Sequence, residues 1–305
     1  MKIIKHKSIA WIDIFNPTKK DIEYVGKQGR FHPIILDELL HASARSKVEL
    51  YPKYIFLTYH LPIFDDDLKT SRRAEVDFLV TKDKIFTIHY EDLEPINNFW
   101  RRLNNDPHLK DRAMSNNTGH VLYYLIEEVL AFSQRQLRHI EENISNVTGE
   151  LFLGKENQLL QKISYLKRDI LDYSIISKPQ EIILESLKEA GSKFWSSENE
   201  LKIYFSDLAG DHLKIMQFLD NFKETIEALE QTNSQLLNAR TNSIMQRFTV
   251  LAALTFPLVL VTSLFNVGAI DKMINGDLII FGGVFISTLI LTILLLIFVR
   301  KKKWI

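Results

Sequence analysis

The chain contains no cysteine among its 305 residues, and its 38 basic and 38 acidic side chains leave it without net charge. The absence of cysteine excludes disulfide bonds, thiolate catalysis and cysteine-based zinc sites. A neutral chain also lacks the basic excess that neutralises phosphates, so we expect no nucleic-acid partner. It has no glycine-rich phosphate loop, no Gly-x-Ser-x-Gly elbow and no histidine pair with the spacing of a zinc helix. We therefore expect neither an enzyme nor an organic cofactor.

Charge is also absent from two apolar runs near the end of the chain, residues 248–270 and 278–299. Each is about 22 residues long, which is enough for a helix to cross a hydrocarbon core about 30 Å thick. Residues 300–305 form a basic tail, and basic flanks favour the cytoplasmic side. The N-terminus has no apolar signal segment. The prediction is two transmembrane helices in the plasma membrane, an outer loop at 271–277 and both termini in the cytoplasm.

The first 115 residues have the mixed pattern of a cytosolic α/β domain. Aromatic and β-branched residues predict strands at 54–59, 75–80 and 84–89, the last two forming a hairpin about the turn near Lys82–Asp83. Asn16-Pro17-Thr18 is typical of the start of a helix.

Residues 116–200 predict a helical part without strands, with a break near 147–149 and a helix boundary at Pro179. Residues 201–247 then predict a long stalk helix that continues into the first membrane run. Along it, apolar residues recur in alternating steps of four and three, as in a coiled-coil seam. The seam consists of Ile215, Leu219, Phe222, Ile226 and Leu229. This pattern indicates a homo-oligomer whose long helices bundle together.

Several short motifs, in this order and spacing, resemble the CorA-type divalent-cation (magnesium) channels from end to end. Each motif is weak alone, and the terminal pair of apolar runs strengthens the match. The motifs are Trp11-Ile12-Asp13, Pro17-Thr18 with Asp21, Arg45 to Pro52, Glu75 to Phe78, Thr87-Ile88-His89, Leu166-Lys167-Arg168, Tyr204 to Asp207, Asp211-His212, Pro257-Leu258 and Lys301 to Ile305.

The resemblance implies a pentamer with a cytosolic α/β funnel and stalk helices that line a central pore. Such a protein would lie in the lipid bilayer and conduct hydrated Mg²⁺ inward. It would close when cytosolic Mg²⁺ binds between subunits, so Mg²⁺ would be both cargo and regulator. The expected partners are other copies of the chain and divalent cations.

The sequence departs from the family at its Gly-Met-Asn tripeptide. Aligning on Pro257-Leu258 places Asn266-Val267-Gly268 there, so Gly268 occupies the position of the family's asparagine. A ring of asparagine amides contacts the water shell of Mg²⁺, which gives up water reluctantly. Asn266 replaces the lost amide if the helix ends one turn sooner or the loop rotates, whereas a ring of Gly268 residues offers only backbone groups.

Other pore positions implied by the resemblance are also altered. Asn242 matches a family pore asparagine, whereas Phe248 replaces a leucine, Phe256 a methionine and Val259 a threonine. A more apolar constriction dewets more readily, which suits a gate and raises the barrier to ions.

Acidic residues outside the pore allow two interpretations each. Asp65, Asp66 and Asp67 are either part of a regulatory Mg²⁺ site or a solvated loop between strands. Asp207 and Asp211 match a family region that supplies sensor carboxylates, or form an ordinary polar face. Asp271 and Asp277 either concentrate cations at the outer mouth or reflect routine interface polarity.

Three functions are therefore open from the sequence. The first is passive permeation of Mg²⁺ or a related divalent cation through a pentameric pore. The second is a CorA-like transporter with altered selectivity, for Zn²⁺ or Co²⁺, or with outward flux, because the tripeptide is changed. The third is a membrane-anchored oligomeric scaffold or regulator that no longer conducts, which the apolar Phe248, Phe256 and Val259 favour.

Overall fold

A mixed six-stranded sheet forms the centre of the first part of the molecule. The computed structural model describes residues 1–195, 199–265 and 278–301, and the chain divides into two units, 1–230 and 231–305. The strands are β1 (Lys2–His6), β2 (Ile9–Phe15), β3 (Lys47–Leu50), β4 (Ile55–Asp65), β5 (Thr70–Val80) and β6 (Lys84–His89). Their order is β1-β2-β6-β5-β4-β3, with β2 and β6 parallel and all other neighbours antiparallel. The predicted strands and the β5–β6 hairpin are confirmed.

Helices cover both faces of this sheet. The helices of the first unit are α1 (Lys19–Gln28), α2 (Pro33–Glu38), α3 (Glu94–Asn105), α4 (Pro107–Met114), α5 (Thr118–Glu150), α6 (Glu156–Phe194) and the first part of α7 (Asn199–Phe265). Ile12 and Ile14 of β2 belong to the apolar core formed with α1 and α2. Trp11, which alternation along the strand turns to the other face, packs on Phe99 of α3 with ring centroids 5.3 Å apart. Helix α5 contacts β4 and β6, and helix α6 contacts β3, β4 and β5.

The start of α1 shows why local sequence specifies its position. Thr18 is the N-cap, and its side chain accepts a hydrogen bond from the backbone N–H of Asp21. The Asp21 carboxylate in turn accepts from the backbone N–H of Thr18 at 2.9 Å. This reciprocal capping box satisfies two donors that a helix start leaves unpaired. The predicted helix start is confirmed.

Two predicted boundaries in the helical part differ from the structure. Helix α5 continues to Glu150, so the break expected near 147–149 falls at 151–155, where Gly154 has a φ of 79°. Pro179 lies inside α6 and does not end it. A proline removes only the hydrogen bond to the carbonyl four residues earlier. Ile175, which carries that carbonyl, is 62 % exposed, so water has access to this side of the helix.

The apolar seam of α7 packs inside the subunit. Ile215, Leu219 and Ile226 are at most 2 % exposed in the single chain. Ile215 lines a cavity together with Leu130 of α5, and Ile226 lines another together with Ile170 of α6. The four-and-three periodicity therefore reflects packing against the subunit's own helices, and it gives no independent argument for an oligomer.

Motif residues that carry the family resemblance form a buried hydrogen-bond network in the sheet. The Trp11 Nε1–H donates to Thr87 Oγ1 at 2.9 Å, and the Thr87 hydroxyl donates to Asp13 Oδ1 at 2.6 Å. The His89 Nε2 lies 3.2 Å from the same Asp13 oxygen. All four side chains are buried, and buried polar groups require such partners. These motif residues therefore hold the sheet together.

A second buried carboxyl, that of Asp77, makes stability depend on pH. Burial raises its pKa to about 7, the Glu75 carboxylate adds to this shift, and the Thr58 and Tyr90 hydroxyls that donate to Asp77 oppose it. Between about pH 4 and about pH 7 the folded protein holds a proton here that the unfolded chain has released. Stability therefore falls as pH rises through this window, by at most about 1.4 kcal/mol per pH unit.

Asp77→Asn is expected to flatten this pH dependence because the asparagine does not titrate. Thermal unfolding followed by circular dichroism at several pH values in the window measures the slope. Asp67→Asn, at an exposed position, serves as the control and is expected to keep the wild-type slope. Identical slopes for Asp77→Asn and the wild type would contradict the assignment.

In the second unit, α7 runs to Phe265 and a further helix, α8, spans Leu278–Lys301. Among the described residues, one helix is long and apolar enough to cross a membrane. It is the Glu200–Ser263 stretch of α7, whose apolar 18-residue window has a mean hydropathy of 1.8 and is 6 % buried. The apolar part of α8, Gly282–Phe298, is shorter.

Candidate functional site

The four described pore candidates share one open face of α7. At about 100° per residue, Asn242, Phe248, Phe256 and Val259 fall within an arc of about 120°. Phe248 is 64 %, Phe256 67 % and Val259 61 % exposed, and Asn242 is exposed as well. Exposed apolar side chains in a continuous row indicate a surface that lipid or another protein covers.

The opposite face of the same helix segment is covered. Val250 is 8 % exposed, and Leu254, Pro257 and Val261 are half-buried. The membrane-length part of α7 therefore has a covered side and an open side, and the predicted pore residues all lie on the open side. The other pore and mouth candidates, Asn266, Val267, Gly268, Asp271 and Asp277, lie outside the described residues.

The three aspartates at the end of β4 lie in the β4–β5 turn. The Asp65 Oδ1 accepts hydrogen bonds from the backbone N–H groups of Asp67 and Leu68, each at 3.0 Å, and Arg72 lies 3.3 Å from Oδ2. The Leu68 N–H contributes most to lowering the pKa of Asp65, followed by that of Asp67 and then by Arg72. The Asp66 side chain is 89 % exposed and lies 3.5 Å from Lys69. The Asp65 carboxylate thus stabilises the turn.

Asp207 and Asp211 lie on α7 next to acidic residues of α5. The Tyr123 hydroxyl lies 2.9 Å from Asp207 Oδ2 and 3.2 Å from Glu127 Oε1, so it bridges the two helices. Asp211 Oδ1 accepts from Lys214 Nζ at 2.8 Å. A cavity of about 290 Å³ adjoins these groups and is lined by Arg102, Glu127, Glu128, Leu130, Ala131, Gln134, Asp211 and Ile215.

Glu127 is the residue of this site that the sequence reasoning missed. Burial raises its pKa, and the nearby carboxylates of Asp207 and Asp211 raise it further, while the Tyr123 hydroxyl opposes them. The sequence feature that could have identified it is the acidic pair Glu127-Glu128, which interrupts the apolar helical pattern of α5. His212, next to Asp211, is buried, and burial lowers its pKa to about 4, so its imidazole is neutral at physiological pH.

The Tyr123 hydroxyl links Glu127 to Asp207, but the structure does not assemble a complete metal site within one chain. Throughout 1–195, 199–265 and 278–301, no group of three or more histidine, aspartate or glutamate side chains is arranged to hold a metal ion. A cation at Asp207 and Asp211 would therefore require water or oxygen atoms from a second subunit.

An α/β unit covered by helices on both faces, with a long helix that continues into a membrane-length apolar stretch, defines a membrane protein with a large extramembrane part. The model of the family described as "CorA-like Mg²⁺ transporter protein" matches residues 6–301. The chain belongs to this family, whose members are divalent-cation transporters in membranes and not enzymes.

Two relatives and one solved structure agree with this assignment. The cobalt/magnesium transport protein CorA of Thermotoga maritima is 21 % identical over 299 residues, covering 97 % of this chain and 83 % of that protein. The protein of the same name from Methanocaldococcus jannaschii is 19 % identical over 304 residues, covering 97 % and 92 %. The complete structure of the CorA magnesium transporter from M. jannaschii superposes with a TM-score of 0.77 at 16 % identity, covering 100 % of this chain and 95 % of that one. The predicted fold class is confirmed.

Proposed function

We propose that this protein is a divalent-cation channel that conducts Mg²⁺ through the centre of a homopentamer. The observation that carries the proposal is the open face of α7, where the pore candidates Asn242, Phe248, Phe256 and Val259 lie together on a membrane-length helix. Five copies of that face around an axis enclose a path and cover the apolar surface that a single chain leaves exposed.

The membrane potential supplies enough energy for this transport. A divalent ion gains about 4.6 kcal/mol per 100 mV, at about 2.3 kcal/mol for each charge. Uptake therefore needs no bound nucleotide. In this arrangement 248–270 and 278–299 cross the plasma membrane, 271–277 faces outward, and both termini lie in the cytoplasm. Asp271 and Asp277 would then concentrate cations at the outer mouth.

Divalent influx into proteoliposomes tests the function. The purified full chain is reconstituted with an inside-negative potential and trapped dyes for Mg²⁺, Co²⁺ and Zn²⁺, with protein-free liposomes as the control. We expect potential-dependent Mg²⁺ influx. If no ion of the panel enters in metal-free internal buffer, the proposal fails and the non-conducting scaffold is favoured.

The altered tripeptide motivates one alternative within the same family. With Asn266 displaced by two positions from the family's asparagine, the filter contacts the hydrated ion differently, and selectivity for Zn²⁺ or Co²⁺, or outward flux, becomes the second candidate. Competition among the three ions, measured in both directions of the gradient, separates it from Mg²⁺ uptake.

We further propose that Asp207 and Asp211 bind regulatory Mg²⁺ together with oxygen atoms of a neighbouring subunit. A ligand that binds only the folded protein stabilises it, by about 2.7 kcal/mol at one hundred times its dissociation constant. We expect Mg²⁺ to raise the unfolding temperature of the wild type and Asp207→Asn to lose most of that rise. Asp220→Asn, exposed on the same helix, is the control. An undiminished Mg²⁺ effect in Asp207→Asn would refute this assignment.

A further inference from the structure

Two separate apolar surfaces of the first unit are open, and both include residues of α7. The first is a groove of about 580 Å³ between α6 and α7. Its lining includes Leu171 of α6 and Leu213 of α7, and both side chains are exposed. Ile175 and Ile182 follow Leu171 in steps of four and seven, so they extend the same face of α6, and they are exposed as well. A continuous row of this kind indicates a surface that another molecule covers.

The second surface is an aromatic ridge formed by Phe218 and Phe222 of α7. Their rings are stacked, with centroids 6.3 Å apart. They line a cavity together with Ala131 and Leu137 of α5, so the ridge borders α5, whereas the groove borders α6. Phe218 is 44 % exposed and Phe222 is half-buried. The ridge therefore presents large apolar side chains that a partner can contact.

Helical geometry places the ridge and the groove on opposite flanks of α7. Phe218 is two residues from Met216 and five from Leu213, which both line the groove. At about 100° per residue, the ridge is then about 160° from Met216 and about 140° from Leu213 around the helix. The buried seam that contains Ile215 and Leu219 separates the two flanks. One chain therefore cannot bring its own ridge to its own groove.

The charges around the two surfaces are balanced. The groove is lined by four basic and three acidic side chains, and one of the basic ones, Lys167, pairs with the carboxylate of Glu230 at 2.6 Å. The ridge is bordered by Arg135, Arg138 and Glu141, and Arg135 lies 3.5 Å from a carboxylate oxygen of α3. Basic and acidic groups are thus equal in number at each surface. Neither surface repels a second copy, and apolar burial dominates a contact between them.

We propose that the aromatic ridge of one copy packs into the α6–α7 groove of the next copy, with Phe218 as the anchoring side chain. The inference rests on the proposed homopentamer, in which copies of α7 surround one axis. A contact between two different surfaces is heterologous, and its repetition by rotation closes a ring, whereas a self-complementary surface gives a dimer. Large aromatic side chains that fill apolar pockets are typical anchors of protein interfaces.

Disulfide trapping of the full chain in detergent tests this contact, and the natural lack of cysteine leaves no background thiols. A disulfide forms only where two Cα atoms approach to about 4.4–6.8 Å. We expect oxidation of Phe218→Cys/Leu213→Cys to give a ladder of covalent species on a non-reducing gel, ending at the pentamer and removed by dithiothreitol. Phe218→Cys/Leu171→Cys repeats the test on the other wall of the groove. The matched control is Phe218→Cys/Phe152→Cys, since Phe152 is exposed between α5 and α6, outside both surfaces.

The control and each single-cysteine variant are expected to stay monomeric on the gel, because identical positions do not meet in a heterologous contact. Two results would overturn the proposal. The first is no ladder from either double variant, which would mean that another molecule, such as detergent or lipid, covers these surfaces. The second is an equally strong dimer band from Phe218→Cys alone, which indicates a self-complementary contact. Unfolding temperatures under reducing conditions verify that each variant is folded.

The experiment also separates this contact from the proposed function. A ladder that ends at a number other than five supports the contact and contradicts the pentamer. A ladder that ends at five in a protein without ion flux supports the contact and contradicts conduction. A pentameric mass by light scattering without a ladder contradicts the contact alone.

Discussion

Mg²⁺ influx should fall about tenfold or more when Asn266 is replaced by alanine, which corresponds to a rise of about 1.4 kcal/mol in the permeation barrier. Mg²⁺ gives up its water reluctantly, so a filter must contact the hydrated ion through hydrogen-bonding side chains. At the position of the family's asparagine this chain has Gly268, which offers only backbone groups. Asn266 is therefore the amide available to a pentameric ring near the end of the first apolar run.

Initial rates of dye response in proteoliposomes with matched protein content measure this effect. Asn275→Ala, which removes an asparagine from the connection that follows the first apolar run, is the control and should retain wild-type influx. An Asn266→Ala protein with undiminished Mg²⁺ influx would exclude Asn266 from the filter. Equal losses in both variants would point to misfolding of the connection and would likewise remove the support for a specific role.

Phe256→Thr should increase divalent influx in metal-free internal buffer. Phe256 is 67 % exposed and lies within the same arc of α7 as Phe248 and Val259, so a pentamer places apolar rings along the path. Apolar constrictions exclude water and hence ions. A hydroxyl in place of the phenyl ring both widens the constriction and offers a hydrogen-bond partner. Each 1.4 kcal/mol removed from the barrier speeds permeation about tenfold.

The control for this substitution is Leu251→Thr. Leu251 is 56 % exposed on the same stretch of α7 but lies outside the arc of the pore candidates. The Leu251→Thr variant also loses apolar volume at an exposed position of α7, and its rate of divalent influx should equal that of the wild type. If Phe256→Thr does not exceed the wild type, or if Leu251→Thr gives the same increase, the gate does not lie at Phe256.

Several of the short motifs that identify the family can be recognised in the sequence because they place polar residues within apolar strands. Asp13, Thr87 and His89 stand out in sequence for this reason, and the structure shows them hydrogen-bonded to one another in the sheet. Buried polar residues have few tolerated substitutes, since losing one leaves its partner unsatisfied. Such residues therefore indicate the fold more directly than they indicate the transported ion.

Helical periodicity identified the buried face of α7 but misidentified what covers it. An apolar residue at every third or fourth position indicates that one side of a helix is buried. It does not state whether the cover comes from a second copy or from the same chain. Ile215 and Ile226 are already buried within the single chain, next to cavities that they line together with residues of α5 and α6. Only the tertiary packing of α5, α6 and α7 decides between these two possibilities.

The sequence by itself determined the properties that depend on neighbouring residues along the chain. These are the helix start at Thr18, the β5–β6 hairpin, the apolar runs near the C-terminus and the family. The tertiary structure alone decided which distant residues meet. Tyr123 reaches Asp207 through the packing of α5 on α7, and Thr58 reaches Asp77 because β4 pairs with β5. Local pattern specifies which side of an element is buried, whereas the pairing of elements specifies what that side contacts.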